Sequence, residues 1–173
     1  ADPETFIKLL SSVGSVESVW EWLLTEWFRH FDSMANTERQ KLSCVALTRL
    51  LELPSPITTL VLHKLQDYIT MWTSVVMEMQ DGRDDGGDNL IWQETESHDY
   101  ESPEDVRMRL QSAGDLVHTV HTLQFINARL QQLIVATGGE EAFQRDWLLN
   151  VDRDVLQEFQ HAFAGKAAGV IGS

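Results

Sequence analysis

The sequence predicts an all-α fold, an α-solenoid of antiparallel helical hairpins that forms a fragment of a longer superhelix. Two observations lead to this prediction. Three helical stretches, over residues 16–34, 37–53 and 57–79, are joined by turns of a few residues, so successive helices must pack against each other. No part of the chain shows the sustained alternation of apolar and polar residues that marks a β-strand.

The first stretch carries one apolar stripe, because its members recur at the three- and four-residue steps that bring side chains to one side of a helix. They are Val16, Val19, Trp20, Leu23, Trp27, Phe31 and Met34. Trp22 falls outside the stripe. We therefore predict that Trp22 is a candidate partner contact, since tryptophan is enriched where protein interfaces gain most of their energy.

The second stretch is apolar on two sides. Its two lines are Leu42, Val45, Ala46, Leu50 and Leu53 and, nearly opposite, Cys44, Leu47 and Leu51. Such a helix is sandwiched between neighbours. Thr37 and Gln40 have the spacing of a capping box, which predicts that this helix begins beside Thr37.

The third stretch is the longest. Its apolar positions predict one continuous helix of roughly 35 Å, at about 1.5 Å per residue. They are Ile57, Val61, Leu65, Tyr68, Ile69, Trp72, Val75, Val76 and Met79.

An acidic segment follows over residues 80–102 and is predicted to be an exposed, flexible loop, because its many carboxylates are opposed only by Arg83. It resembles a calcium-binding EF-hand loop at Asp81, Asp85 and Gly86. The register fails, since Arg83 stands at a ligand position and Trp92 where the bidentate glutamate belongs.

The remaining chain divides by pattern. We predict helical hairpins over 4–79 and further helices over 103–163, the latter begun by Ser102 as an N-cap. Residues 164–173 lack periodicity and should fray. Residues 1–3 are interpreted as a cloning remnant.

Composition narrows the class of partner. The chain has 173 residues and a formal net charge of −14, which argues against nucleic-acid binding and favours basic protein partners, unless the charge serves only solubility. No apolar run approaches the roughly 20 residues of a membrane span, and no signal peptide is evident. The single cysteine excludes an internal disulfide and indicates a reducing compartment, the cytosol or nucleus.

Catalytic and metal chemistry find little support. Asp115, His118 and His121 share one helix side but lack a fourth ligand, so two partly exposed histidines are the preferred interpretation. Cys44 lies among apolar residues and is predicted to be a buried hydrophobe. No nucleophile elbow, phosphate loop or zincin motif is present. We predict neither an enzyme nor a cofactor.

Four segments together carry a family resemblance: VWEWLLTEWFRHFDSM, RQKLSCVALTRLLEL, LQDYITMW and GGEEAFQRDWLLNVDRDVLQEFQ. They resemble the carboxy-terminal HEAT repeats of the importin-beta (karyopherin) superfamily, nearest to the importin-eleven branch and its fungal counterparts. The resemblance covers residues 4–163. It identifies the predicted helices as HEAT-like hairpins.

The resemblance implies a protein-binding carboxy-terminal segment of a nuclear import receptor, which carries protein cargo through the nuclear pore. It implies residence in the cytoplasm, the nucleus and the pore of the nuclear envelope. The resemblance implies the GTPase Ran and nucleoporins as partners of the full-length receptor. It assigns their binding to no particular residue of this chain. The alternative is a HEAT-like scaffold subunit of a cytosolic or nuclear complex unrelated to transport.

The acidic segment supplies the candidate partner-binding residues. Besides Trp22 they are Asp84, Asp85, Asp88, Trp92, Glu94, Glu96, Asp99 and Glu101. The carboxylates could attract the basic signals typical of import cargo, or could themselves occupy a basic-cargo site on the receptor until cargo displaces them. A solvated loop without a partner is the open alternative.

Overall fold

The computed structural model describes residues 3–55, 57–80, 88–91 and 102–163. Within these ranges all regular structure is helical, which confirms the all-α prediction. The elements are α1 (Pro3–Val13), α2 (Val16–Phe31), α3 (Thr37–Arg49), α4 (Ile57–Leu62), α5 (Leu65–Gln80), α6 (Pro103–Gly114), α7 (Leu116–Thr119), α8 (Thr122–Ala136), α9 (Glu140–Asp146) and α10 (Arg153–Phe163). Short 3₁₀ turns span Leu50–Glu52 and Leu148–Asn150. None of the described helices is long and apolar enough to cross a membrane.

The helices α3 and α5 form an antiparallel hairpin. Thr37, at the start of α3, contacts Glu78, near the end of α5, with 3.4 Å between the hydroxyl and carboxylate oxygens. Near the other end of α3, the indole of Trp72 donates a hydrogen bond of 2.8 Å to the Thr48 hydroxyl. The predicted antiparallel packing of these stretches is therefore confirmed.

The helix α8 lies beside α3 and runs in the same direction. Its first residue, Thr122, lies near Lys41 of α3, because both contact the Asp88 carboxylate. One to two turns further along, Arg129 pairs with Glu52, just beyond the end of α3, at 2.7 Å.

The helix α10 likewise runs parallel to α5. The Gln66 side chain accepts a 3.0 Å hydrogen bond from the Asp152 amide, where both helices begin. Further along, the rings of Trp72 and Phe159 lie 6.4 Å apart. Successive hairpins thus repeat one orientation, as a solenoid requires.

The core is centred on α5, which packs against α2, α3, α8 and α10. Its buried residues are Leu65, Tyr68, Ile69, Met71, Trp72, Thr73, Val75, Val76 and Met79. The ring of Tyr68 meets Phe28 of α2 edge-on, with 5.1 Å between centroids. One continuous apolar cluster therefore joins the helical layers.

The two-sided character of α3 is confirmed for one line and corrected for the other. Cys44, Leu47 and Leu51 are all buried, and burial raises the pKa of the Cys44 thiol to about 12. On the second line Val45 is buried and Ala46, Leu50 and Leu53 are half-buried, so the correction concerns Leu42 alone, which is 47% exposed.

The prediction of one continuous helix over residues 57–79 is wrong. The chain turns at His63 and Lys64, where the Lys64 amide bonds to the Val61 carbonyl at 2.9 Å and α5 then begins. The turn allows Leu62 and Leu65 to be buried on both sides of it. Neither glycine nor proline marks this turn, so no local signal predicts it.

The predicted capping box at Thr37 and Gln40 is also wrong. The cap is Asn36, whose side-chain oxygen accepts a 2.9 Å hydrogen bond from the Arg39 amide. The side-chain Nε2 atom of Gln40 instead donates a hydrogen bond to the Met34 carbonyl at 2.7 Å. This contact closes the turn after α2, which ends at Phe31 rather than at Met34.

Two other helix ends follow local sequence rules. Ser102 caps α6 and forms a full capping box with Asp105, as its position before Pro103 predicted. After α8, Gly138 and Gly139 have φ values of 102° and 94°, and the Gly139 amide returns to the Ile134 carbonyl at 2.9 Å. A side chain would be strained in these left-handed conformations, so glycine is required to end the helix there.

The amino-terminal helix α1 was not predicted by apolar spacing. It begins at Pro3. The interpretation of residues 1–3 as a cloning remnant stays a prediction. The helix α6 ends at Gly114, within the predicted helical region 103–163. The predicted tail over 164–173 lies outside the described residues.

Candidate partner-binding surface

Residues 88–91, in the middle of the acidic segment, are packed against the folded helices. The Asn89 amide donates a 2.8 Å hydrogen bond to the Met79 carbonyl at the end of α5. Leu90 is half-buried and contacts the apolar core. The prediction of one flexible loop over 80–102 is therefore wrong for these four residues.

Asp88 of the acidic segment is a buried carboxylate. It is 8% exposed, and its Oδ2 atom lies 2.8 Å from the Nζ atom of Lys41, which is fully buried. The same oxygen accepts hydrogen bonds from the Thr122 hydroxyl at 2.6 Å and the Thr122 amide at 3.2 Å. The prediction of Asp88 as an unopposed carboxylate is wrong, because Lys41 of α3 opposes it.

The position of Asp88 also supplies α8 with a helix cap. The local N-cap residue, His121, makes no side-chain capping bond. The Asp88 carboxylate instead accepts the amide of Thr122, the first residue of α8, and places negative charge at the positive end of the helix.

The surroundings of Asp88 favour its charged form. Burial alone raises the pKa of a carboxyl group, but the hydrogen bonds from Lys41 and Thr122 outweigh burial and hold the pKa of Asp88 below its usual range. Burial lowers the pKa of Lys41, and the contact with Asp88 opposes that shift, so each partner favours the charged form of the other.

His118 holds the same segment from α7. Its Nδ1 atom lies 2.8 Å from the Leu90 carbonyl oxygen, and its Nε2 atom lies 3.9 Å from a carboxylate oxygen of Glu38. Asp115 caps α7 through the Val117 amide, and His121 is exposed. Among the residues that the structure describes, no group of three or more histidine, cysteine, aspartate or glutamate side chains is arranged to hold a metal ion.

The tryptophans divide largely as the apolar spacing predicted. Trp20 and Trp72 are fully buried, whereas Trp22 is 64% exposed. Trp27 is only half-buried, and its indole donates to the Ser43 hydroxyl at 2.5 Å. Trp22 is accessible to a partner, and its role as a contact stays a prediction.

The other predicted contacts of the acidic segment lie outside the described residues. They are Asp84, Asp85, Trp92, Glu94, Glu96, Asp99 and Glu101. The structure fixes the points where the chain enters and leaves these two stretches. They are the end of α5 at Gln80, residues 88–91, and the start of α6 at Ser102.

A groove of about 750 Å³ lies where the ends of the two hairpins meet. Its apolar walls include Leu51, Leu62 and Leu133, and Trp147 closes one side. The charges around it are internally paired, since Arg129 contacts Glu52 at 2.7 Å. Asp146, which also lines the groove, is paired with Arg145 at 2.7 Å, so the charged groups around the groove are engaged within the protein.

The Lys41–Asp88 pair was missed by reasoning from the sequence. Lys41 lies between Gln40 and Leu42 in a helix that was predicted to be sandwiched, so burial of its stem could have been inferred. A buried lysine requires an acidic partner. Nothing local in the sequence distinguishes Asp88 from Asp84 or Asp85 as that partner.

Comparison with known proteins agrees with this architecture. Residues 1–164 match the family described as importin-11-like, TPR repeats. The chain belongs to this importin-11-like family of nuclear transport receptors. Its membership confirms the predicted importin-beta superfamily and importin-eleven branch. TPR and HEAT repeats are both stacked antiparallel helix pairs, so the family description and the predicted solenoid are compatible.

A relative in fission yeast supports the same assignment. The chain is 28% identical over 168 residues to the importin beta-like protein kap113 of Schizosaccharomyces pombe. The match covers 92% of this chain and 16% of the relative, so the chain spans a small part of that protein. No solved structure matches the chain significantly.

Proposed function

We propose that this importin-11-like chain is a protein-binding segment of a nuclear import receptor, which carries protein cargo between cytoplasm and nucleus through the pore. Membership of the importin-11-like family is the observation that supports the proposal. The role is one of binding rather than catalysis. Ran and nucleoporins are proposed as partners of the full-length receptor, not of particular residues in this chain.

The cargo-facing chemistry that we propose is acidic. The chain has 27 carboxylate residues against 13 lysines and arginines, and the acidic segment holds eight of these carboxylates, one of which is Asp88. A basic import signal would be attracted by these negative charges. Asp88 is left out of the proposed set, because its carboxylate contacts Lys41 at 2.8 Å.

The test is a titration of a basic import-signal peptide against the chain. In the test variant the six candidate contact carboxylates other than Asp88 are neutralised: Asp84→Asn, Asp85→Asn, Glu94→Gln, Glu96→Gln, Asp99→Asn and Glu101→Gln. Asp88 is kept, so the fold is not disturbed. We expect weaker binding by the variant at low salt and a smaller loss of affinity when salt is added, since exposed charges are screened over about 8 Å at physiological ionic strength.

A matched control separates a local site from general attraction. It neutralises six exposed carboxylates on the described helices: Glu17, Glu21, Glu104, Glu140, Glu141 and Glu158. Both variants change the formal charge from −14 to −8. Equal loss of affinity in the two variants would reject a specific acidic site, and unchanged affinity in the test variant would reject capture altogether.

Trp22 provides a second contact in the proposal, because a large exposed aromatic ring is the kind of side chain on which interfaces depend. Trp22→Ala should weaken peptide or cargo binding without changing the midpoint of thermal unfolding. If neither basic peptide nor cargo binding responds to Trp22→Ala, this residue has no part in the surface.

A further inference from the structure

The best-defined polar cluster of the described chain joins two successive hairpins through the segment between them. It consists of Lys41 on α3, Asp88 in the connecting segment and Thr122 at the start of α8. Their exposures are 0%, 8% and 1%, although all three side chains are polar. Burial of such groups is costly unless they are paired, and the distances of 2.8 Å and 2.6 Å show that they are.

We propose that Lys41, Asp88 and Thr122 form a latch that fixes the register of α8 against α3 and ties the connecting segment to their seam. This inference is independent of the proposed function. An apolar trio could fill the same space, but it would impose no hydrogen-bond geometry between α3 and α8. A single carboxylate oxygen that accepts from both helices allows only one register.

The surrounding contacts indicate that the latch acts at a defined point. The second oxygen of Asp88 accepts the Leu90 amide at 3.0 Å, and the Leu90 carbonyl oxygen is 2.8 Å from His118 on α7. The Asn89 amide bonds to the Met79 carbonyl. Residues 88–91 thus contact α3, α5, α7 and α8 within four residues of chain.

The position of the latch divides the acidic segment. Seven residues, 81–87, lie between the end of α5 and Asp88, and ten residues, 92–101, lie between Ile91 and Ser102. The latch therefore gives the two acidic stretches a common fixed point at the seam between hairpins.

The test follows individual amides by hydrogen exchange in the whole chain. Two amides depend on the Asp88 carboxylate, those of Leu90 and Thr122. In Asp88→Asn a hydrogen bond to a charged group is lost at both amides. We therefore expect their exchange rates to rise, relative to the wild type, by a factor about ten times larger than the factor by which the Trp72 amide in the core accelerates. Thr122→Val, which keeps the side-chain shape, should accelerate the same two amides less.

A matched control is Asp152→Asn. Asp152 is exposed, and its carboxylate accepts the Asp154 amide at 2.8 Å at the start of α10. Its replacement should leave the exchange of Leu90 and Thr122 unchanged.

A double variant separates register from stability. Lys41→Met with Asp88→Leu replaces the ion pair by apolar groups and should keep the thermal midpoint of the chain or raise it, as replaced buried pairs often do. The Thr122 amide should nevertheless exchange faster than in the wild type. The latch is rejected if, in Asp88→Asn, the amides of Leu90 and Thr122 are accelerated no more than the amide of Trp72. Equal acceleration of all amides, as when the whole chain unfolds, also rejects it.

Discussion

The helices α5 and α6 are stable for different reasons. The helix α5 has nine buried residues and packs against four other helices. The helix α6 has no buried residue and contacts mainly α7, while Met108 and Leu110 on it are more than half exposed. Packing holds α5, whereas α6 depends on the Ser102 capping box. Helices of one chain can therefore rest on tertiary contacts in one case and on local hydrogen bonds in another.

The largest effect is expected at the centre of α5. Trp72 is fully buried, packs against Phe159 and donates to the Thr48 hydroxyl. Trp72→Ala should lower the free energy of unfolding by about 3 to 5 kcal/mol, through the lost burial and the cavity that remains. Denaturant titration measures it. A loss below about 1 kcal/mol would show that α5 is not the packing centre.

An intermediate effect on the free energy of unfolding is expected when the pH is lowered, because the contacts of Asp88 in the latch depend on its charged carboxylate. The folded-state pKa of Asp88 is lowered by the hydrogen bonds from Lys41 and Thr122, which outweigh burial. Its stabilising contribution is therefore present above the unfolded pKa, about 4, and is lost as the pH falls toward the lower folded pKa.

The measurement for that prediction is the difference in unfolding free energy between wild type and Asp88→Asn, followed from neutral to acid pH. The difference should be largest near neutrality and should shrink as the pH falls below about 4. A difference independent of pH would show that the charge of Asp88 contributes nothing.

A smaller effect is expected at the start of α6. Ser102→Ala removes the cap and should cost about 1 kcal/mol of helix stability. Because α6 buries no residue, the loss should appear as faster hydrogen exchange within 103–114, while global unfolding stays unchanged. A changed global midpoint would contradict the contrast between α6 and α5.

The smallest effect is expected at Trp22. This residue is 64% exposed, so Trp22→Ala should change the unfolding free energy by no more than about 0.5 kcal/mol. The half-buried Trp27, which donates to Ser43, should fall between Trp22 and Trp72 when replaced by alanine. Equal losses at Trp22 and Trp27 would show that the faces of α2 are wrongly assigned.

Periodicity predicted the fold class because it reports burial, the same quantity that holds α3 and α5. The stripe with Trp20 and the line through Cys44 and Leu47 were both recognisable. The turn at His63 and Lys64 was not recognisable, because no residue there breaks a helix. Tertiary packing on both sides of the turn interrupts a sequence that would otherwise favour one helix. The cap at Asn36 was missed because Thr37 also has capping chemistry.

The candidate surface was less predictable than the fold. Exposure of Trp22 followed from its place outside a stripe. Burial of Asp88 did not, because its partner Lys41 lies 47 residues earlier in the chain and only the stacked hairpins bring them together. Charge counting over 80–102 treats all carboxylates alike, whereas the fold uses one of them internally.

The fixed point at residues 88–91 has a consequence for how the length of this chain can vary. The bond between Asn89 and Met79 closes a loop, and the entropy of loop closure rises slowly, by about 0.6 kcal/mol for each doubling of length. Additional residues on either side of the fixed point would therefore cost little stability. Relatives could lengthen or shorten the acidic stretches independently of each other while α8 keeps its place on α3.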